Sequence, residues 1–430
     1  MEAQLNNNPT IESKPINKRI GYVDIGKFLA ILIVVIYHAF VYVIDLGLDF
    51  PVSEGFNFYW QASLNNFGQF VVPFFFFAMG ITYVYGKYTS YKQYVRYRFY
   101  SLVIPFILIF LLSAVIIAGI RAIALKVNFF HDLASDLVGL VWGSIYVPFE
   151  IPSIGLLRIS DPADIISIGR IRTFPNMLIP LYFLQAFIPT SLVFMPLAEL
   201  LKKDKLKHYH IYRGLTIIVL LLLTGIEPFL CKDWSLPFSL GYVPFFLLIM
   251  LMGLWLKEVN LFEVKKLWVN ILLFVIGVGL LTFGAGFASG IIAFYANKFG
   301  GNSYLGILLS YISTIGGCIC FIQISRLIDS LKIKTIPKFL RWLGQRTMPI
   351  YAFHCMTLGC VILNLMSFTT LFTPENKILA LLVVILTIIV CIVFCVFVGG
   401  AVYKLFILIS LKIKEPFDKR RLAKENRSVS

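Results

Sequence analysis

The chain has 430 residues, of which 59% are apolar and only 14% charged, and its mean hydropathy is +0.85. This composition excludes a soluble globular domain of such length. Apolar runs of about 20 residues recur along the chain, and each is long enough to cross a bilayer. The net charge of +16 could suggest nucleic acid, but Lys and Arg lie in short segments between the apolar runs, so we expect no nucleic-acid partner.

Three regions are predicted. Residues 1–20 are polar and rich in Asn and Pro, which predicts a disordered cytoplasmic tail. Residues 21–410 form one membrane domain, and 411–430 form a basic cytoplasmic tail. The fold class is all-α and polytopic, with ten predicted membrane-spanning helices. These predicted spans are 25–44, 67–85, 101–121, 177–198, 214–231, 237–256, 268–289, 304–325, 347–367 and 378–403.

The distribution of positive charge gives the predicted orientation. With the N-terminus in the cytoplasm, 29 Lys and Arg residues fall in cytoplasmic segments and eight in external ones. Both termini are therefore predicted to be cytoplasmic, in a multi-pass protein of the inner or plasma membrane. An eleventh span within 133–149 would invert every later loop. We interpret that stretch as an interfacial or re-entrant segment of a long external loop, 122–176.

The first predicted span carries three polar residues on one face: Asp24, Lys27 and His38. Lys27 and His38 differ by about 20° around the helix axis and by about 16 Å along it, and Asp24 lies within about 40° of His38. A titratable side chain near the bilayer midplane is costly to bury, so it indicates function and a cavity beside it. Two alternatives stay open: a His that only hydrogen-bonds a neighbouring helix, and a Lys that only anchors the helix mouth.

Two later stretches carry further polar candidates. A basic and aromatic segment, 94–105, follows the second span. Its Arg96 and Arg98 could hold phosphates bidentately or act as ordinary cytoplasmic anchors. The ninth span contains His354, the only other His within a predicted span, which could share a cavity with His38 or lie at the same depth by chance.

The external loop 122–176 carries both signs of charge, including Arg170 and Arg172. Loops of this length are often functional, although an ordinary surface loop is an equal alternative. Six of the seven Cys residues fall in apolar runs and are interpreted as small membrane hydrophobes. Cys318 and Cys320 lack the spacing of a zinc site, so no metal is expected.

Four motifs in chain order resemble those of the acyltransferase-3 family of integral membrane acyltransferases, over about residues 20–405. The family opens with Asp-x-x-(Arg/Lys) and an apolar run ending in His, which matches Asp24, Lys27 and His38. Its second span reads Pro-hydrophobic-Phe-Phe-x-x-Ser-Gly, which matches 73–80 with Met79 where Ser is usual.

The third motif is a basic segment ending in Pro, and it matches Arg98 and Pro105. Some members have a second Arg where this chain has Ser101, which weakens the transfer of a coenzyme-binding role. Lys27 also replaces the Arg of many members, so bidentate phosphate contact is lost there. The fourth motif matches Leu343, Gly344, Thr347, Ile350, Tyr351 and His354.

The resemblance implies transfer of an acyl group, commonly acetyl or succinyl, from cytoplasmic acyl-CoA to a hydroxyl of a surface polysaccharide or glycolipid, with no bound cofactor. The residues expected at the site divide into three groups. Catalysis is assigned to His38 and Asp24, donor binding to Lys27, Arg96 and Arg98, and substrate binding to His354, Tyr351, Arg170 and Arg172. Histidine suits the role of base because its pKa lies near neutral pH.

Two other classes of function remain. A secondary transporter or flippase could use His38 and Lys27 in its translocation path. Transporters often contain internal repeats, and no convincing repeat relates spans 1–5 to spans 6–10. A non-catalytic scaffold or sensor would not need buried charges on one helix face.

Overall fold

A computed structural model of the chain describes the following residues: 19–45, 70–125, 128–130, 133–134, 137, 182–203, 207–230, 237–264, 266–299, 304–366 and 377–427. Their regular secondary structure is helical, and the described residues contain no strand. The predicted all-α fold class is therefore confirmed.

The helices are numbered here in chain order. They are α1 (Gly21–Asp45), α2 (Val71–Thr82), α3 (Tyr91–Arg98), α4 (Ile104–Leu125), α5 (Tyr182–Leu200), α6 (Tyr209–Leu230), α7 (Val243–Glu258), α8 (Leu267–Phe299), α9 (Tyr304–Asp329), α10 (Thr335–Gly344), α11 (Thr347–Met366), α12 (Lys377–Phe394) and α13 (Gly400–Arg427). Two π turns, Phe99–Val103 and Cys395–Gly399, join α3 to α4 and α12 to α13. A 3₁₀ turn, Pro237–Tyr242, precedes α7.

Each predicted span overlaps a helix, and several helices have the length and composition to cross a membrane. In the described residues five helical stretches meet both requirements: Gly21–Ala39, Tyr91–Gly119, Leu240–Glu258, Tyr311–Asp329 and Leu382–Pro416. Shorter apolar helices are Val71–Thr82, Leu184–Leu200, Tyr209–Thr224 and Leu267–Phe283. The chain is thus a helical membrane protein, whereas the number ten and the orientation of the termini stay predictions.

Some helix ends differ from their predicted positions. Helix α4 continues to Leu125, four residues past the predicted end of the third span. Helix α13 runs unbroken to Arg427, so no structural break marks the predicted boundary at residue 410. Most of 1–20 and of the 122–176 loop lies outside the described residues, so the domain boundaries and the re-entrant segment stay predictions.

Helix α1 lies at the centre of the fold. It packs against α2, α9, α10, α11 and α12, and its Ile25, Ile31 and Val35 are fully buried. Burial of apolar side chains between helices cannot by itself drive their association in lipid, so close packing and polar contacts must contribute. The polar face of α1 therefore lies among other helices, as its sequence predicted.

Small residues bring α2 and α7 into close contact. A Cβ added to Gly80 would lie only 2.9 Å from the backbone nitrogen of Leu254, and one added to Gly253 would meet the Phe77 carbonyl group. Both glycines allow the two helix backbones to touch, as small residues do in membrane helix pairs. This packing places the second-span motif on the wall of a cavity beside α1.

The π turn after α3 has a local cause. Pro105 has no N–H, so the carbonyl of Ser101 cannot receive the usual bond from a residue four positions later. The chain widens into a π turn over Phe99–Val103, a feature often found near functional sites. Arg98 is the last residue of α3 before this turn.

Candidate active site

The candidate site includes a buried ion pair at the start of α1. Asp24 is only 3% exposed, and its Oδ1 lies 2.6 Å from Lys27 Nζ, one helical turn later. Its Oδ2 lies 3.3 Å from Arg19 Nε. The carboxylate thus has two cationic partners, which is the arrangement that makes a buried charge tolerable.

Gly344 of the fourth motif packs against the backbone of Asp24. A Cβ added to Gly344 would lie 2.5 Å from the carbonyl carbon of Asp24, and nearer still to its oxygen. No larger residue fits at this position without moving α10 away from α1. Because α11 begins at Thr347, three residues later, this contact also sets the position of α11 relative to α1.

A cavity of about 460 Å³ lies beside Lys27 and is called the cationic cavity below. Its charged lining consists of five basic residues and one acid: Arg19, Lys27, Lys87, Arg98, Lys257 and Asp24. A cleft lined mainly by one sign of charge raises the local concentration of ligands of the other sign. The cavity therefore suits an anion that carries several negative charges.

Arg98 is the best-placed of these cations for a phosphate. Its Nε is buried and has no hydrogen-bond partner among the described residues. Its Nη2 lies 3.7 Å from Met79 Sδ, and the guanidinium carbon lies 5.1 Å from the centre of the Tyr94 ring. A buried charged donor without a partner is costly, so an anionic ligand would relieve that cost.

Arg96 and Tyr88 lie near the cationic cavity, but only Tyr88 lines it. Arg96 is half-buried on α3 and lines neither this cavity nor the second one described below. Tyr88 does line the cationic cavity, and burial raises the pKa of its phenol to about 12, with the Tyr97 phenol adding to the shift. Tyr88 is therefore a neutral hydrogen-bond donor at physiological pH.

A second cavity, of about 360 Å³, adjoins the first and is called the deep cavity below. The two have four lining residues in common: Lys27, Met79, Thr82 and Arg98. The lining of the deep cavity continues onto α11 at Thr347, Met348 and Tyr351. Residues from all four motifs thus line one pair of adjoining cavities.

The two membrane histidines are in contact beyond Tyr351. His38 Nδ1 lies 3.4 Å from His354 Nε2, and the ring centroids are 5.1 Å apart. His354 is fully buried, and its ring centroid lies 5.7 Å from that of Tyr351. The structure therefore brings together His38, His354 and Tyr351, which the sequence placed on two distant spans.

Hydrogen bonds to backbone carbonyls indicate which nitrogen of each ring carries the proton. His354 Nδ1 lies 2.8 Å from the Tyr351 carbonyl and 3.1 Å from that of Ile350, so it is assigned as the N–H donor. Its Nε2 is then an acceptor. His38 Nδ1 lies 2.9 Å from the Val34 carbonyl and also carries a proton, which leaves Nε2 of His38 as the basic nitrogen.

The sequence did not single out Cys355. Its Sγ lies 3.2 Å from His354 Nε2, and the side chain is 4% exposed. The donor atoms of His38, His354 and Cys355 all lie within 4.8 Å of one another, close enough for one metal ion to bridge them. The sequence signal for Cys355 was its position next to His354 within one span. We had interpreted the cysteine as a packing residue because its surroundings are apolar.

The predicted site residues within the described part of the chain lie mainly in two places, the cationic cavity and the pair of membrane histidines with Tyr351. Asp24, Lys27 and Arg98 lie at the cationic cavity. Asp24 is fourteen residues from His38, or about 21 Å along α1, so the two predicted catalytic residues are far apart. The catalytic role of Asp24 stays a prediction. Arg170 and Arg172 lie outside the described residues.

Comparison with known families agrees with the four motifs. Residues 20–399 match the profile of Acyl_transf_3, described as an acyltransferase domain. No curated protein and no solved structure matches the chain. Because the matched region covers nearly the whole chain and contains every motif residue at the two cavities, the protein belongs to the acyltransferase-3 family of membrane acyltransferases.

Proposed function

We propose that this acyltransferase moves an acyl group, acetyl or succinyl, from cytoplasmic acyl-CoA to a hydroxyl of a surface polysaccharide or glycolipid. One observation carries the proposal. The cationic and deep cavities share four lining residues, and the lining of the deep cavity includes Tyr351, whose ring lies 5.7 Å from that of His354. This arrangement supports a donor site beside a base for the acceptor hydroxyl.

The donor is proposed to bind with its phosphates in the cationic cavity. Lys27 contributes a point charge, and the unpaired Nε–H of Arg98 contributes a directed hydrogen bond. Asp24 holds Lys27 in place through their ion pair, a contribution that does not require it to reach His38. The acyl end of the donor then points along the deep cavity towards Tyr351.

His38 is proposed as the general base. Its Nε2 takes the proton of the acceptor hydroxyl while the oxygen attacks the acyl carbonyl carbon. The Val34 carbonyl accepts from His38 Nδ1 at 2.9 Å and fixes its tautomer, while the His354 ring, whose Nε2 lies 3.4 Å from the same nitrogen, holds the orientation of the His38 ring. In a catalytic triad a third group likewise orients the base.

The acceptor is proposed to approach from the external face. The 122–176 loop carries Arg170 and Arg172, and its length suits a role in acceptor choice. Replacement of this loop with that of a relative should change which carbohydrate is acylated. Unchanged acceptor use by a chimera that still folds would contradict this role.

Mass spectrometry of surface glycans from cells with and without the gene tests the proposal. The glycan should gain one acyl group when the wild-type protein or His208→Ala is expressed, and should lack it with His38→Ala. His208 is a matched control because it is exposed and lies outside both cavities. Glycans that change in surface abundance but never in acylation would contradict an acyltransferase of this type and favour a flippase.

A further inference from the structure

Cys355 belongs to the same helix face as two residues of the proposed site. Tyr351, His354 and Cys355 follow the i, i+3, i+4 spacing that places side chains together on a helix. Tyr351 lines the deep cavity, and His354 contacts His38. The thiol therefore lies one turn beyond the end of the cavity that the proposed function gives to the donor's acyl group.

We propose that Cys355 is a covalent acyl carrier, which receives the acyl group from acyl-CoA as a thioester before the acceptor hydroxyl takes it. The inference rests on the proposed function and adds an intermediate to it. Its geometric basis is the Cys–His pair: Cys355 Sγ lies 3.2 Å from His354 Nε2, at hydrogen-bond distance. A nucleophile within hydrogen-bond reach of an oriented base is the usual signature of covalent catalysis.

The base in this pair has a fixed orientation. The carbonyls of Ile350 and Tyr351 both accept from His354 Nδ1, so its proton is held on the side of the ring away from Cys355. The lone pair of Nε2 is left for the thiol proton. His38 is the third member of this arrangement, because its Nδ1 faces the same Nε2 at 3.4 Å.

Three other cysteines with described contacts have different partners. Cys391 Sγ lies 3.6 Å from the backbone carbonyl of His354, and Cys395 Sγ lies 3.6 Å from Thr357 Oγ1. Cys320 Sγ donates to the Phe274 carbonyl. Among the cysteines with described contacts, Cys355 is therefore the one whose sulfur faces an imidazole nitrogen.

The first step exchanges one thioester for another. The thiol proton passes from Cys355 to His354 Nε2 as Sγ attacks the acyl carbonyl carbon. The bond between that carbon and the coenzyme sulfur breaks, and the leaving coenzyme thiolate takes the proton from His354. The products are acyl-Cys355 and free CoA, and no other reactant is needed.

The second step returns the enzyme to its starting state. The acceptor hydroxyl loses its proton to His38 as its oxygen attacks the carbonyl carbon of acyl-Cys355. The carbon–sulfur bond breaks, His38 passes its Nδ1 proton to His354 Nε2, and His354 passes it on to the departing Sγ. His38, now protonated at Nε2, regains its Nδ1–H tautomer by proton exchange with water. The product is an ester, and a donor and an acceptor that approach from opposite faces need not occupy the site together.

The test is to incubate purified full-length protein with labelled acetyl-CoA and no acceptor, quench it with acid, and map the label by peptide mass spectrometry. We expect one acetyl group on Cys355, released by neutral hydroxylamine, together with one equivalent of free CoA. Cys318→Ala is the matched control, because Cys318 is also buried but lies on α9, away from the helix face that carries Tyr351 and His354. It should acquire the same label as wild type.

Cys355→Ala should acquire no label and should lose at least about 100-fold in transfer, within the range of up to about 10⁶-fold that removal of an enzyme's nucleophile can cost. A folded Cys355→Ala protein with transfer within about twofold of wild type would overturn the inference but leave the proposed function intact. Label found on His38 instead would also overturn it. If this variant does not fold, the wild-type experiment alone decides: transfer to acceptor without any trapped acyl-Cys355 refutes the carrier, and absence of both transfer and label refutes the proposed function.

Discussion

Gly344→Ala tests whether contact between α10 and α1 assembles the site. The added Cβ would lie 2.5 Å from the carbonyl carbon of Asp24, whereas ordinary contacts of this kind begin at 3.4 Å. The two helices must therefore separate by at least about 1 Å. Overpacking of this kind destabilises proteins by about 1–3 kcal/mol.

The effect on activity should exceed the effect on stability. Because α11 follows Gly344 by three residues, the displacement moves Tyr351 and His354 relative to His38. A misplacement of about 1 Å at reacting groups can reduce rates about 100-fold. We therefore expect a lower melting temperature in detergent and a fall in acyl transfer on the order of 100-fold.

Gly279→Ala is the matched control for this experiment. Gly279 lies in the apolar helix α8, and a Cβ there would meet no atom within 4 Å. Melting temperature and transfer rate should both remain near wild-type values. The reasoning would be refuted if Gly344→Ala matched Gly279→Ala in both measurements, because the close contact between Gly344 and Asp24 would then have no role in forming the site.

Three further predictions concern the donor site, the base and the topology. Lys27→Ala should raise the apparent KM for acyl-CoA with kcat partly preserved, whereas Lys27→Arg should be tolerated. The exposed control is Lys338→Ala, and a Lys27→Ala protein with the same KM as this control would exclude Lys27 from donor binding. Arg98→Ala should also weaken donor use, because it removes the unpaired guanidinium N–H proposed to bind the phosphates. Lys92→Ala is the control, since Lys92 is exposed on the same helix, and it should not weaken donor use. Steady-state kinetics over a range of acyl-CoA concentrations compare the two variants. Reporter fusions at residue 150 and at the C-terminus should lie on opposite sides of the membrane, and two signals from one side would refute the predicted orientation.

The sequence predicted those parts of the site that depend on one helix. Helical periodicity placed Asp24, Lys27 and His38 on a common face, and α1 is indeed a continuous helix with its polar face among other helices. The Asp24–Lys27 ion pair follows from their i, i+3 spacing. Hydropathy likewise located a helix at each predicted span, because apolar length is set by bilayer thickness.

Contacts between distant elements could not be predicted in this way. Nothing in local spacing indicates that Gly344 rests on Asp24, or that Met79 lies against Arg98. These contacts depend on how α10 and α2 cross their neighbours. Cys355 was overlooked for the same reason, since its apolar surroundings look like packing until His354 and His38 are placed together.

The sequence also did not show which arginine faces the cavities or where the last helix ends. Arg96 and Arg98 are two residues apart and looked equivalent, but their side chains point about 160° apart on a helix, and only Arg98 lines the cavities. The start of the basic tail at 411 marked a change of composition, whereas α13 continues through it to Arg427. Charge patterns do not show where backbone hydrogen bonding stops.

The most direct test of the account is acyl transfer by the purified protein in detergent, with labelled acetyl-CoA, a carbohydrate acceptor and no transmembrane gradient. Wild type and His208→Ala should form labelled ester at equal rates, and His38→Ala should be slower by about 10²–10⁴-fold, the usual contribution of a general base. Near-normal transfer by His38→Ala would contradict the assignment of the base. A wild-type protein that transfers no acyl group without a gradient, but takes up a substrate when a gradient is applied, would contradict the assignment of the chain as an enzyme.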